Sequence, residues 1–457
     1  MNGSEINKLT IYAPLGILGY GFPKRSLEYA SKMKPDVIAV DAGSTDPGPY
    51  YLGAGQSFTS HTMVTRDLTY ILKASLELKC PLIIGTAGGA GGRPHLDWFI
   101  KIFQNVVKTI GKRVKIAIIS AEQDKKYLKI ALDNNLIENF EMGRAATYED
   151  IDRSTHIVAQ MGIEPIIESL KEKVDVVIAG RAYDAALMAA VPIMLGFDKG
   201  LAYHMGKIIE CGSLIAVPRE SDGAIATITE NNFTIEPADP LKTTTADLVA
   251  AHTLYEKSNP VHLKLPGGQL NLEKSSFKSL NERKVQVEGS RFEPSTYKVK
   301  LEGSAFIGFR TVCIAGIRDP IEIKYIDELL ENVKKKVKRD LCETYQQNDY
   351  DIYFHLYGKN AVMGAREYDY LNPKEIGLVI EVVAKTQQIA DTVCALSRSA
   401  TMHMQYTSRK ATAGNLAFLF SPSEFSAPNA YEFSIYHLMK INDPLEPFPI
   451  TYKEFGK

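Results

Sequence analysis

The sequence predicts an α/β protein with a doubly wound, mostly parallel sheet in the first half, followed by an α+β part with antiparallel strands. In the first half, short apolar runs that lead into glycine-rich loops alternate with helical patterns. From about Pro218, apolar and polar residues alternate instead. Continuous apolar runs are typical of parallel strands buried on both faces, and alternation is typical of antiparallel strands with one solvated face.

Five βα units are expected in the first half. The predicted strands are Lys8–Ala13, Asp36–Val40, Pro81–Ile84, Val114–Ser120 and Val174–Ala179. Helical patterns follow, for example from His95 to Ile110. In doubly wound sheets, ligands bind beyond the carboxyl ends of the strands. The glycine-rich loops after these strands are therefore expected to face one another around a binding site.

The second half is expected to begin with antiparallel strands in GAIATITENNFTIEP, RKVQVEGSRF, TYKVKLEGSAFIGFRTVCIAG and PIEIKY. Helices are predicted at Ile326–Gln346 and Gln387–His403, with strands in DIYFHLY and IGLVIEVVAKT between them. We therefore predict three parts. These are a glycine-loop α/β domain with the active site (1–217), a mixed, mostly antiparallel extension (218–325) and a C-terminal α+β companion domain (326–457).

Composition excludes several classes of protein. The chain has 457 residues, with 53 basic and 54 acidic side chains and a net charge of −1, so nucleic acid is not the expected partner. Five scattered cysteines without a CxxC motif argue against a disulfide framework and a zinc site. The start lacks the pattern of a signal peptide, and no apolar run reaches the ~18 residues of a membrane span. We therefore expect a cytoplasmic protein that does not enter a membrane.

The loop after the second predicted strand, DAGSTDPGP, is rich in groups used in catalysis. Asp41 and Asp46 are candidate catalytic carboxylates, and Ser44 and Thr45 are candidate substrate-binding hydroxyls. Asp41 and Asp46 could also hold a divalent metal. The alternative is ordinary turn chemistry, in which Asp41 caps a turn and Asp46 begins a Pro-Gly turn.

The third strand leads into GTAGGAGG, followed by Arg93 and His95. Backbone N–H groups at such strand-to-helix turns bind phosphate or carboxylate. Candidate binding residues here are Gly88, Gly89, Ala90, Gly91 and Arg93. The loop is neither a Walker motif nor a good dinucleotide fingerprint, so no NAD or FAD is expected.

Two further segments carry candidate residues. In GRAYD, Arg181 can hold a carboxylate bidentately and Asp184 can orient it or transfer a proton, or the two can staple a helix to the sheet. In HMGKIIECG, Glu210 is a candidate general base, and Cys211 could act as a nucleophile only if the fold brings His204 close. The nine histidines include no HxH or HExxH pair, so no metal site is predicted.

The motifs DAGSTDPGPYYLG, GTAGGAG, AGRAYDAALMAA, GKIIECG and AHTLYEKSNPVHL, in this order, resemble the acyclic terpene utilisation (AtuA-like) family over residues 8–320. The segment APNAYEF resembles the small companion domain of such proteins and suggests Asn429 and Glu432 as binding residues, although the family's preceding Lys and its Gly are missing. The resemblance implies a place in the breakdown of carboxylic acids and acyl-CoA thioesters, including branched terpenoid acids.

Together these observations lead to an expected function. The chain would act on a small carboxylate or its CoA thioester by proton transfer, as a hydratase, dehydratase or isomerase. Asp41 or Glu210 would be the base, Arg93 and Arg181 would hold the carboxylate, and the glycine loop would stabilise the developing anion. The alternative is a non-catalytic ligand-binding subunit of an acyl-CoA-processing complex. A homo-oligomer is expected, because two-fold assemblies are the commonest outcome.

Overall fold

The computed structural model describes residues 7–140, 143–254, 259–346, 348–368, 373–410 and 412–456. It divides into two compact units, residues 1–305 with 433–457 and residues 306–432. This division is based on contacts between residues. The domain boundaries expected at 217 and 325 are based on changes in sequence pattern, and they stay predictions. No helix in the described ranges combines the length and apolarity needed to cross a membrane.

The strands and helices are as follows in chain order. The strands are β1 (Lys8–Ala13), β2 (Val37–Gly43), β3 (Leu82–Gly89), β4 (Val114–Ile119), β5 (Ile137–Asn139), β6 (Ser154–Ala159), β7 (Val176–Ala179), β8 (Ala224–Thr229), β9 (Asn232–Pro237), β10 (His262–Leu265), β11 (Gly268–Asn271), β12 (Ser276–Ser279), β13 (Val285–Glu288), β14 (Arg291–Pro294), β15 (Lys298–Ile317), β16 (Tyr350–Tyr357), β17 (Ile376–Ala384), β18 (Ala417–Phe418), β19 (Glu424–Lys440) and β20 (Ile450–Phe455). The α-helices are α1 (Lys24–Lys32), α2 (Pro49–Ala54), α3 (His61–Leu78), α4 (Arg93–Ile110), α5 (Lys125–Asp133), α6 (Tyr148–Arg153), α7 (Glu164–Lys171), α8 (Asp184–Met194), α9 (Lys199–Ile209), α10 (Ala246–Thr253), α11 (Pro320–Lys324), α12 (Ile326–Leu341) and α13 (Gln387–His403).

The first unit is built on a ten-stranded mixed sheet with the order β12-β13-β9-β8-β1-β2-β3-β7-β4-β20. Its centre, β1-β2-β3-β7-β4, is parallel. These are the five strands predicted from the apolar runs, so the α/β class and the parallel sheet are confirmed. After Pro218, antiparallel strands β8, β9, β13 and β12 extend this same sheet, because β8 pairs with β1 from Lys8↔Thr229 to Ala13↔Ala224.

Apolar cores cover both faces of the parallel strands. One core contains Ile71 of α3 and Phe99 and Phe103 of α4, and the other contains Met188 of α8 and Ile208 of α9. Because helices lie on both faces, every residue of β2 and β3 is buried. This double burial explains why these strands read as continuous apolar runs in the sequence.

In the second unit, part of β15 pairs antiparallel with β17, from Phe309↔Ala384 to Ile317↔Ile376, and β17 pairs with β16. Helices α12 and α13 share an apolar core with these strands. The two predicted helices in this region are confirmed, although α12 ends at Leu341 rather than at the predicted Gln346. The strand predicted in PIEIKY is wrong, because the Asp319 carboxylate caps α11 and Pro320 occupies its first turn, where proline is favoured.

Candidate active site

The loops at the carboxyl ends of β2, β3 and β7 touch one another backbone to backbone. A Cβ atom on Gly43 would lie 1.9 Å from the Gly89 carbonyl oxygen, and one on Gly91 would lie 2.2 Å from the Arg181 nitrogen. The Arg181 N–H donates to the Gly91 carbonyl at 3.2 Å. Glycine is therefore required here for packing. Gly88, Gly89, Ala90 and Gly91 are all buried, and their role in substrate binding stays a prediction.

Beside this contact lies a group of mostly buried charged side chains, which we call the carboxylate cluster. It consists of the carboxyl groups of Asp41, Asp184, Glu210 and Glu302 with the cations of Arg181, Lys207 and Lys300. Arg181 Nε donates to Glu302 Oε2 at 2.8 Å, and Arg181 Nη1 lies 3.5 Å from Asp184 Oδ1. The structure thus brings together four residues that the sequence suggested separately: Asp41, Arg181, Asp184 and Glu210.

Glu302 forms the most strongly bonded part of the cluster. Besides Arg181, it accepts from Thr45 Oγ1 at 2.8 Å and faces Lys300 Nζ at 2.9 Å. Burial opposes its ionisation, but Arg181 and Lys300 outweigh burial and hold the Glu302 pKa at about 2. Glu302 is therefore an anion at neutral pH and anchors the cluster.

Glu210 and Asp41 have the opposite electrostatic environment. Burial raises the pKa of Glu210 to about 6, although Lys207 Nζ donates to Glu210 Oε1 at 2.6 Å and favours the anion. Burial, followed by the charge of Asp184, raises the pKa of Asp41 well above its ordinary value, and Arg181 only partly compensates. Four carboxyl groups face three cations, so protonation of one carboxyl group balances the charges. The cluster can therefore hold and exchange a proton near neutral pH.

An open cleft of about 490 Å³ lies next to the cluster, lined by Thr45, Asp46, Phe433 and Tyr436; we call it the aromatic cleft. Thr45 belongs to both sites through its hydrogen bond to Glu302. Lys300 also connects them, because its Nζ donates to the Tyr436 hydroxyl at 2.7 Å and lies 4.1 Å from the ring centroid. Asp46, which lines the cleft, accepts a hydrogen bond from Ser44 Oγ at 2.5 Å. An aromatic wall thus adjoins the charged cluster.

The remaining candidate binding residues are not members of the carboxylate cluster. Arg93 is exposed, and its backbone N–H donates to Glu122 Oε2 at 2.9 Å. Asn429 and Glu432 belong to the second unit. The motif AHTLYEKSNPVHL includes residues 255–258, which lie outside the described residues. The suggested roles of Arg93, Asn429 and Glu432 stay predictions.

A nucleophilic Cys–His pair is not formed by His204 and Cys211. His204 Nδ1 bonds Ser290 Oγ at 2.6 Å and its Nε2 bonds Thr253 Oγ1 at 3.1 Å. Cys211 instead bonds Glu210, and burial, with the charge of Glu210, raises its thiol pKa. A protonated thiol is a poor nucleophile. Across the residues with described positions, no group of three or more His, Cys, Asp and Glu side chains is arranged to hold a metal ion.

Lys207, Lys300 and Glu302 are cluster residues that sequence reasoning missed. A signal existed for Lys207, which precedes Glu210 by three residues on α9 and so faces the same side of the helix. Lys300 and Glu302 carried no such signal. They stand in an alternating strand, where charged side chains normally face solvent.

A charged cluster next to an open cleft at the carboxyl edge of a parallel sheet is typical of α/β proteins that bind small molecules. The family model described as acyclic terpene utilisation family protein AtuA matches residues 65–417, and the chain belongs to this family. Family membership suggests a role in acyclic terpene catabolism. No curated protein and no solved structure matches the chain.

Proposed function

We propose that the protein is an enzyme of acyclic terpene catabolism that acts on a small carboxylate or its CoA thioester by proton transfer. The reaction would be that of a hydratase, a dehydratase or an isomerase. The observation that carries the proposal is the carboxylate cluster, in which the pKa values of Asp41 and Glu210 are raised beside fixed cations. Raised carboxyl pKa values in a cleft at a sheet edge favour acid–base catalysis over a structural role.

Proton transfer beside a carbonyl group needs a base that is active near neutral pH. Glu210, with a pKa of about 6, is the base in this proposal, and Asp41 in its protonated form is the acid. In a dehydration, Glu210 takes the proton next to the carbonyl carbon, and Asp41 gives a proton to the departing hydroxyl group, which leaves as water. In an isomerisation, a proton is removed at one carbon and returned at another.

The aromatic cleft suits the hydrocarbon part of such a substrate. Phe433 and Tyr436 offer an apolar wall, and Tyr436 also packs edge-on against Phe140 at 5.3 Å between ring centroids. Thr45 lines the same cleft, and its hydroxyl group donates a hydrogen bond to Glu302 of the cluster. A branched acyclic chain in the cleft would therefore extend from a carbonyl group held near the cluster.

Deuterium exchange tests the proposal directly. The purified protein is incubated in D₂O with isovaleryl-CoA and citronellyl-CoA, acyl thioesters built from one and two isoprene units, and loss of the signal from the protons beside the carbonyl is followed by ¹H NMR. We expect exchange that falls by ~10²-fold or more in Glu210→Gln, which removes the proposed base.

The matched control is Glu77→Gln, which removes an exposed carboxylate on α3 and should leave exchange unchanged. Absence of exchange in the unaltered protein, or equal exchange in Glu210→Gln, would contradict the proposal.

The alternative function, a non-catalytic ligand-binding subunit of an acyl-CoA-processing complex, is favoured by one observation. Arg181 and Lys207 are each already paired with a carboxylate of the chain. This alternative predicts that CoA thioesters raise the melting temperature of the protein without any exchange. A thermal-shift assay run beside the NMR experiment separates the two functions, because a ligand at ~100 times its Kd adds about 2.7 kcal/mol of stability.

A further inference from the structure

The hydroxyl group of Tyr183 is buried, and among the residues the structure describes it has no hydrogen-bond partner. The ring is only half-buried, so the hydroxyl points inward. Tyr183 stands immediately before α8, between Arg181 and Asp184 of the carboxylate cluster. Buried polar groups without a partner are rare in native proteins, and a catalytic role is one of the recognised reasons for them.

The surroundings of this hydroxyl are the groups proposed to do the chemistry. Burial raises the pKa of Tyr183, the charge of Lys207 opposes the rise, and Asp184 and Glu210 add to it. The phenol therefore keeps its proton near neutral pH. It is a hydrogen-bond donor close enough to the proposed base to be influenced by its charge.

The cations of the cluster are already bonded within the protein. Arg181 is paired with Glu302 at 2.8 Å, Lys207 with Glu210 at 2.6 Å, and Lys300 with Glu302 at 2.9 Å. A substrate oxygen that enters the cluster would have to compete with these carboxylates. The Tyr183 O–H has no such competitor in the described part of the chain.

We propose that Tyr183 is a catalytic residue that donates a hydrogen bond to the carbonyl oxygen of the carboxylate or thioester substrate. The inference rests on the proposed function. When the C–H bond beside the carbonyl breaks, the proton goes to Glu210 and the electron pair forms a carbon–carbon double bond. The electrons of the carbonyl double bond move to the oxygen, whose negative charge the Tyr183 O–H stabilises. No bond to the protein forms, and Tyr183 keeps its proton. Donors aimed at a developing oxyanion supply a large share of catalysis in comparable sites.

The chain offers a closely matched control for this residue. The Tyr12 hydroxyl is also buried and without a partner in the described structure, but Tyr12 lies on β1 and its hydroxyl is influenced by Asp222, outside the cluster. Neither Tyr183→Phe nor Tyr12→Phe breaks a hydrogen bond in the free protein, so both should keep the melting temperature of the unaltered protein or raise it. Deuterium exchange should fall about 100-fold in Tyr183→Phe and stay unchanged in Tyr12→Phe.

A binding experiment makes the test independent of turnover. In mildly alkaline buffer, where hydroxamic acids ionise, citronellyl hydroxamate carries negative charge that is shared by its carbonyl oxygen and so resembles the developing charge, whereas the carbonyl oxygen of citronellamide stays neutral. By calorimetry, Tyr183→Phe should raise the Kd of the hydroxamate about tenfold to a hundredfold and change that of the amide far less.

The assignment of Tyr183 is overturned if Tyr183→Phe leaves the exchange rate or the hydroxamate Kd unchanged. A lower melting temperature with unaltered binding would also overturn it, because it would indicate a structural role. Absence of exchange in the unaltered protein refutes the proposed function, but a hydroxamate Kd that depends on Tyr183 would still support the hydrogen bond. If the unaltered protein does not bind the hydroxamate, both proposals fail.

Discussion

Glu302 and Glu210 are both almost completely buried in the same cluster, yet their acidities differ by orders of magnitude. Glu302 has two cations and a hydroxyl donor and a pKa of about 2, whereas Glu210 has one cation, faces other carboxyl groups and has a pKa of about 6. Burial disfavours ionisation at both sites, so the number of partners decides the outcome. Glu302 is therefore ionised at neutral pH, whereas the pKa of Glu210 lies close to neutrality.

The largest effect on stability is expected from Glu302→Gln. This change leaves Arg181 and Lys300 without their shared anion in a buried site, and loss of one partner from a buried ion pair typically costs about 3–5 kcal/mol. The free energy of unfolding in urea measures the loss. Glu454→Gln, at an exposed ion pair with Arg113, is the control and should cost less than ~1 kcal/mol. Equal losses in the two variants would show that Glu302 is not an anchor.

A smaller effect is expected in the pH dependence of stability. Because the Glu210 pKa is higher in the folded protein than its ordinary 4.5, its contribution is fully present below about pH 4.5 and is lost as the pH rises through about 6. The loss amounts to about 2 kcal/mol, at 1.36 kcal/mol per pKa unit. Between pH 4 and 7, the unfolding free energy of the unaltered protein should fall by about this amount more than that of Glu210→Gln, and the difference isolates Glu210 from other carboxyl groups such as Asp41.

The contribution of Glu302 to stability depends on pH in the opposite direction. Its pKa is lowered in the folded protein, so its contribution is present above about pH 4.5 and is lost as the pH falls towards 2. The Glu210→Gln variant should therefore keep the unaltered protein's loss of stability in acid. If Glu210→Gln removed both the loss of stability at rising pH and the loss of stability in acid, the two carboxyl groups would not titrate independently.

The smallest effect is expected from Thr45→Val, which removes one hydrogen bond to Glu302 and leaves both cations in place. Hydrogen bonds to charged groups are worth about 1.5–3 kcal/mol, and the remaining partners of Glu302 should keep the loss at the lower end. Urea unfolding again provides the measurement. A loss as large as that of Glu302→Gln would place the anchoring energy in the hydroxyl rather than in the ion pairs.

Much of the fold could be predicted because the central strands are buried on both faces and leave continuous apolar runs in the sequence. The same pattern located the loops that carry Asp41, Arg181 and Asp184, and the structure brings these residues together with Glu210 from the segment HMGKIIECG. Their catalytic roles stay predictions.

Glu302 was missed for a physical reason. Sequence alternation in β15 suggests a solvated face, but tertiary packing buries Glu302 completely and pairs it with a residue 121 positions earlier. The sequence leaves open whether Arg181 holds a substrate carboxylate or staples a helix to the sheet, and its partner at 2.8 Å is a carboxylate of the chain itself. Pairings between residues so far apart leave no local pattern in one sequence.

The measurement that tests the central claim most directly is the pH profile of deuterium exchange into isovaleryl-CoA and citronellyl-CoA. If Glu210 is the base, the rate should rise about tenfold per pH unit below 6 and level off above it, and Glu210→Gln should remove this dependence together with most of the rate. A rate that is already level at pH 5, or one that keeps its profile in Glu210→Gln, would contradict the assignment of proton transfer to the carboxylate cluster.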